Sequence, residues 1–211
     1  MDYLERNIPG YNFEIIPVNN DNIALHIDSG TVDFVLTNPG SYVRLERDKQ
    51  IYRIATLIRR QPSGPQSRFG AIIFTRADHP EIHSLKDLEG KVFMGIHPDG
   101  FGGWQMAWRE IRDAGLDPYT DFRSLRFSGF PQKGVFDAVL SGEVDAGTVR
   151  TSQLERLIKR GEVAKEDIRI LNPRRFKHLH VQRIAEDRLA VKAFPQRIKS
   201  VFVLIDHHHI M

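Results

Sequence analysis

The chain has 211 residues, 41% hydrophobic and 27% charged, with a formal net charge of +3 and no cysteine. That length buries a sizeable core, as one large domain or two small ones, and the composition is that of a globular protein. No apolar run is long enough to span a bilayer, and the missing cysteines exclude disulfides, Cys-ligated zinc and thiol chemistry.

Helical and strand-like patterns alternate along the chain. The segment NFEIIPV (12–18) predicts a strand, and NIALHIDSG (22–30) a short helix stopped by Gly30. VDFVLTN (32–38) predicts a strand and GSYVRLERDK (40–49) a helix. YRIATLIRR (52–60) and FGAIIFTRA (69–77) are expected to be strands around the Pro-, Gly- and Ser-rich loop QPSGPQS. SLKDLEG (84–90) reads as a short helix with Ser84 as its N-cap and Gly90 as its stop. A strand at 91–96, a helix at 103–114, a strand near 122–127 and a helix at 132–141 follow. The last predicted elements are a strand at 144–149, a helix at 151–160 and a strand at 168–171. This order implies an α/β protein with mostly parallel sheets.

Two stretches share one grammar. In HIDSGTVDFVLTNPGSY (26–42) and VLSGEVDAGTVRTSQL (139–154) a helix ends in Ser-Gly, a Val-Asp pair opens a strand, and the strand ends in a polar turn. Val32-Asp33 and Val144-Asp145 start the two strands. Each strand delivers hydroxyls and amides to a helix N-terminus, where unpaired N–H groups and the helix dipole favour an anion. Two such half-units imply two lobes with a cleft between them.

Charge is unevenly placed. Nine Lys/Arg face two acidic residues between Arg169 and Lys199, so that segment is +7 and the remainder −4. No nucleic-acid-binding signature accompanies it, and a solvated face accounts for the charge without a nucleic-acid partner. The tail DHHHIM (206–211) carries three adjacent imidazoles, which diverge too much to hold one metal ion. Asp99 near His97 lacks a positioned nucleophile, so no catalytic group is assigned. Trp104 and Trp108, four residues apart, are expected on one helix face, with Trp108 in the core.

FGAIIFTRADHPEIHSLKDLEGKVF, FGGWQMAWREIRDAGLDP and AVLSGEVDAGTVRTSQLERLIKRGEV together resemble the phosphate/phosphite/phosphonate-type periplasmic substrate-binding proteins. Within that family the chain looks closest to sensor domains of histidine kinases, such as the tetrathionate-sensing type. The resemblance covers residues 10–172 and implies a type II periplasmic-binding-protein-like α/β fold. Two lobes are implied, 1–73 plus 173–211 and 74–172, with an anion in the cleft between them.

The resemblance also implies a site. Asn38 and Tyr42 match the lobe I turn whose tyrosine faces the ligand, and Arg68 takes the crossover position of a ligand-facing aromatic. Phe101, Gly102, Gly103 and Trp104 match the turn that holds phosphonate oxygens, and Thr148, Arg150 and Thr151 match a second loop. Gln132 lies where phosphonate binders have a histidine nearby. Because GFGGW replaces their Ser/Thr-rich turn, a sulfur oxyanion or small carboxylate is expected rather than phosphate. Arg68 and Arg150 would clamp it, and Trp104 or Phe101 would wall it.

At the ends, the family has a strand and loop ahead of the helix that MDYLERNIPG finishes, and lobe I is expected to lack that strand. That N-terminus also has charges where a signal peptide needs an apolar core. The return segment HLHVQRIAEDRLAV (178–191) keeps only Leu179, His180 and Glu186 of the family pattern.

The function implied is an extracytoplasmic, non-enzymatic sensor domain that binds a small anion and signals by closure, within a two-component histidine kinase. The alternative is the substrate-binding component of an ABC transporter. An enzyme on the same fold would need an acidic residue deep in the cleft. The partners implied are the anion and a membrane kinase or permease, with no cofactor and no metal.

Overall fold

The computed structural model describes residues 2–56, 58–61, 64–66, 69–172 and 200–204. The chain forms two units, Met1–Ala55 with Gln182–Met211, and Thr56–Val181. Arg68, the return segment 178–191 and the tail 206–211 lie outside the described residues, as does most of the basic stretch.

In the smaller unit, β1 (Phe13–Ile15), β2 (Phe34–Leu36) and β10 (Ser200–Leu204) form a parallel sheet in the order β1-β10-β2. Helices α1 (Asp2–Asn7), α2 (Ile23–Asp28) and α3 (Pro39–Lys49) accompany it. Val18, Ile23 and Leu45 form the centre of its core, with Ile16, Ile27, Val35 and Ile51 packed around them. No strand is predicted at 200–204, yet β10 takes the central place. Its signal is the apolar run Val201-Phe202-Val203-Leu204, which sits within a basic, irregular sequence.

The larger unit is built on a mixed sheet in the order β7-β6-β8-β5-β9. Its strands are β5 (Ala71–Arg76), β6 (Val92–Gly95), β7 (Ser124–Phe127), β8 (Ala146–Arg150) and β9 (Ile168–Ile170). β6 runs parallel to β7 and β8, whereas β5 is antiparallel to both β8 and β9, so the sheet is less parallel than expected. The run Ala71-Ile72-Ile73-Phe74 is wholly buried, as a strand covered on both faces requires. Ile72, Phe74 and Met94 point to one face, under α5 (Lys133–Leu140) and α6 (Gln153–Lys159). Ala71, Ile73 and Phe93 point to the other, under α4 (Met106–Asp113). Phe74 and Phe136 stack with ring centroids 4.5 Å apart, and burying each such side chain contributes about 1.5–3 kcal/mol.

The segment 52–60 departs from its expected strand. Residues 51–56 and Ile58 carry no regular structure, and only Arg59–Gln61 (β3) pairs, antiparallel to Gly64–Gln66 (β4). Tyr52, Ile54 and Ile58 are strongly exposed. Alternation alone does not make a strand when no neighbouring strand pairs with it. Leu85–Leu88 is a single 3-10 turn; the Asp87 carboxylate accepts bonds from the N–H groups of His83 and Ser84 and from the Ser84 hydroxyl.

The repeated Ser-Gly grammar is real geometry. The N–H of Ser29 and of Ser141 returns to the carbonyl four residues earlier, and Gly30 and Gly142 then adopt φ of +63° and +78°. In that left-handed region glycine is favoured over other residues. Among the described residues no helix is long and apolar enough to cross a membrane.

Candidate functional site

Three parallel strands, β6, β7 and β8, end on the same edge of the larger sheet. Each chain leaves that edge through a short loop into a helix. Ligands of open α/β sheets gather outside these carboxyl ends, because the following helix N-termini leave amides without intrahelical acceptors.

After β6 the chain enters a π-helical turn, Phe101–Gln105, which continues into α4. The N–H groups of Trp104 and Gln105 both return to the Gly100 carbonyl, at 2.8 and 3.1 Å. The N–H groups of Phe101, Gly102 and Gly103 have no acceptor among the described residues. The two central glycines are sterically required. A Cβ on Gly102 would stand 2.7 Å from Arg150 Cγ and 2.8 Å from Phe69 Cδ2, and one on Gly103 would stand 2.7 Å from Ile96 Cγ1. The glycines therefore let the turn settle onto β6 and β8, as well as baring its amides.

Trp104 is 2% exposed, its ring among Phe93, Tyr119 and Phe127. Its indole belongs to the core beneath the turn. Phe101 is also buried and meets Phe69 edge-on, with centroids 5.5 Å apart. Trp108, expected in the core, is 39% exposed. The buried face of α4 runs through Met106, Ala107, Glu110 and Ile111, and Trp108 flanks it.

Strand β8 supplies the side chains. Gly147 faces α5, where a Cβ would meet Val135 Cγ1 at 2.5 Å, so Thr148 and Arg150 face the opposite side. Arg150 there meets Gly102 and places its guanidinium carbon 5.2 Å from the Phe69 ring centroid. Thr148 is wholly buried, and its Oγ1 has no hydrogen-bond partner. A buried hydroxyl left unpaired costs about 1–3 kcal/mol.

Gln132 and Thr151 act on the backbone. Gln132 Oε1 accepts the Arg150 N–H at 2.9 Å, and Thr151 Oγ1 accepts the Gly70 N–H at 3.1 Å. The Thr151 N–H in turn donates to the Gly70 carbonyl at 2.9 Å. The Thr151 bonds fix the end of β8 against the chain entering β5, and the Gln132 bond ties it to the start of α5. Sequence reading did not single out Phe69. Its signal was only an aromatic beside Gly70 at a strand start.

Asn38 and Tyr42 belong to the smaller unit, on α3. Asn38 caps the helix, accepting the Ser41 N–H at 3.0 Å and donating to Ser41 Oγ at 3.1 Å. The Tyr42 hydroxyl donates to Glu46 and accepts the Arg53 N–H at 3.2 Å. The bond to Glu46 raises the phenol's pKa above its ordinary value. Thr37, just before the cap, also has a buried Oγ1 without a partner. Among the described residues no group of three or more His, Asp or Glu side chains is placed to hold a metal ion.

A mixed sheet with helices on both faces, whose parallel strands end in an amide-rich glycine turn, defines a ligand-binding α/β module. Residues 1–208 match the family described as the phosphonate ABC transporter, periplasmic substrate-binding protein, and the chain belongs to that family. It is 33% identical over 165 residues to the tetrathionate sensor histidine kinase TtrS of Salmonella typhimurium, covering 78% of this chain and 28% of the kinase. The fold is also that of XAC2383 from Xanthomonas citri, solved bound to ATP, with TM-score 0.63 and 21% identity, covering 81% of this chain and 65% of that one. PhnD1 from Prochlorococcus marinus, solved with methylphosphonate, gives TM-score 0.57 and 20% identity over 74% of this chain and 58% of that one. The fold is thus that of type II periplasmic binding proteins, and this chain spans less than two thirds of each of these relatives.

Proposed function

We propose that this chain is the extracytoplasmic ligand-binding part of a histidine-kinase sensor and takes a small anion at the edge where β6, β7 and β8 end. The observation that carries this reading is the Thr148 hydroxyl, buried without a partner on the same strand face as Arg150 and the bare turn at Gly102 and Gly103. An anion there would accept bonds from the turn amides and from the hydroxyl, with the dipole of the long turn-plus-α4 helix and the Arg150 charge favouring it. Arginine with few hydroxyls suits a sulfur oxyanion or a carboxylate. In this reading Asn38, Tyr42 and Arg68 meet the same anion, and the lobes, divided near 73/74 and 172/173, close upon it. The chain binds and signals without catalysis, and the kinase likeness supports the sensor role. The family description supports a second reading, as the binding component of an importer.

A thermal-shift panel of phosphate, methylphosphonate, sulfate, thiosulfate, tetrathionate and acetate tests the reading. One anion at a hundred times its Kd stabilises by about 2.7 kcal/mol, a rise in Tm of about 5–10 °C. That rise should vanish in Arg150→Ala and shrink in Thr148→Val. No shift with any anion sinks the reading, and a methylphosphonate preference moves it to transport.

A further inference from the structure

We infer that Phe69 is a positioning residue, whose ring is the platform that holds the Arg150 guanidinium for the anion; this rests on the reading above. Three observations converge on it. The guanidinium carbon lies 5.2 Å from the ring centroid, within cation–π range. The ring itself is fixed, set edge-on against buried Phe101 at 5.5 Å and 79°. The space that both side chains occupy exists because residue 102 has no Cβ, which would stand 2.7 Å from Arg150 Cγ and 2.8 and 2.9 Å from the Phe69 ring carbons.

Phe69, Gly102 and Arg150 are therefore one device. A long arginine chain loses rotamer freedom when it is ordered, and a ring of fixed orientation orders it before the ligand arrives. A hydroxyl-bearing residue at 102 would collide with that arrangement. The site thus recognises its anion through a preset guanidinium in place of turn hydroxyls, which favours ligands that present two oxygens side by side to the planar fork.

The test has two readouts on the whole chain. The first is the arginine Nε–Hε spectrum without ligand, with the Arg150 signal assigned by its loss in Arg150→Lys. The ring should move that signal away from the random-coil position. The displacement should collapse in Phe69→Leu and Phe69→Met and persist in Phe69→Tyr. The second is calorimetric affinity for whichever panel anion binds best: about tenfold weaker in the Leu and Met variants, and within about twofold of the parent in Tyr. An Arg150 signal unmoved by Phe69→Leu overturns the platform, even where affinity falls, since the ring then acts on the anion directly. Unchanged affinity in both Leu and Met overturns it as well. If the parent chain takes none of the anions, the functional reading fails and the spectrum still decides the platform.

Discussion

A methyl group on Gly103 would stand 2.7 Å from Ile96 Cγ1 and 3.0 Å from its branched Cβ, on a buried side chain that has little room to retreat. Gly103→Ala should cost about 1–3 kcal/mol by overpacking, read as a lower urea midpoint with an unchanged slope. Asp87 gives a prediction in pH. Bonds from the backbone N–H groups of His83 and Ser84 hold its carboxyl below the ordinary carboxylate value. Its contribution is therefore full above the unfolded value of about 4 and is lost as pH falls through the lower folded value. Asp87→Asn should cost about 1 kcal/mol at pH 7, as loss of a cap does. The gap to the parent should narrow at about pH 3, and urea melts at the two pH values measure it. An equal gap at both would mean that the charge does not matter there.

At the scale of elements, Asn172 does the most with one side chain. It accepts the Ile73 N–H at 2.7 Å, donates to the Ala71 carbonyl at 3.1 Å and to Glu110 Oε2 at 2.9 Å. It thereby ties the far end of β9's chain to β5 and to α4, the helix that continues the glycine turn. All of this is buried, so Asn172→Ala strands two backbone groups and weakens the environment of a carboxylate. The expected loss is about 3 kcal/mol, again by urea unfolding; a loss within the range of an exposed substitution would contradict the network. Glu110→Gln should cost less than Asn172→Ala, because an amide oxygen still accepts the Asn172 bond.

At the scale of the whole molecule, the functional reading predicts motion. A ligand shifts a conformational balance only by its unequal contact with the two states. If one anion meets residues of both units, saturation should lower the radius of gyration in solution scattering, as hinge closure does. Tyr42→Phe should reduce that change if its hydroxyl leaves Glu46 to meet the ligand. A scattering profile indifferent to a tightly bound anion would limit recognition to the larger unit and remove the signalling mechanism.

Local chemistry in the sequence determined most of the element order, the Ser-Gly helix stops and the short turn begun at Ser84. Each rests on contacts between near neighbours, so residue type and spacing suffice. The likeness of the strings around Phe101 and Val144 to one family also placed most of the larger unit's candidate residues. Tertiary structure alone decided the rest. Strand β10 becomes central only because β1 and β2 each leave an edge for it, and 52–56 is no strand because nothing among the described residues pairs with it. Trp104 and Trp108 differ in burial by where each falls relative to the face of α4. Thr148 gains meaning only when the strands around it leave its hydroxyl without a partner. Phe69 does so only when β5 and β8 bring it to Arg150, 81 residues later in the chain.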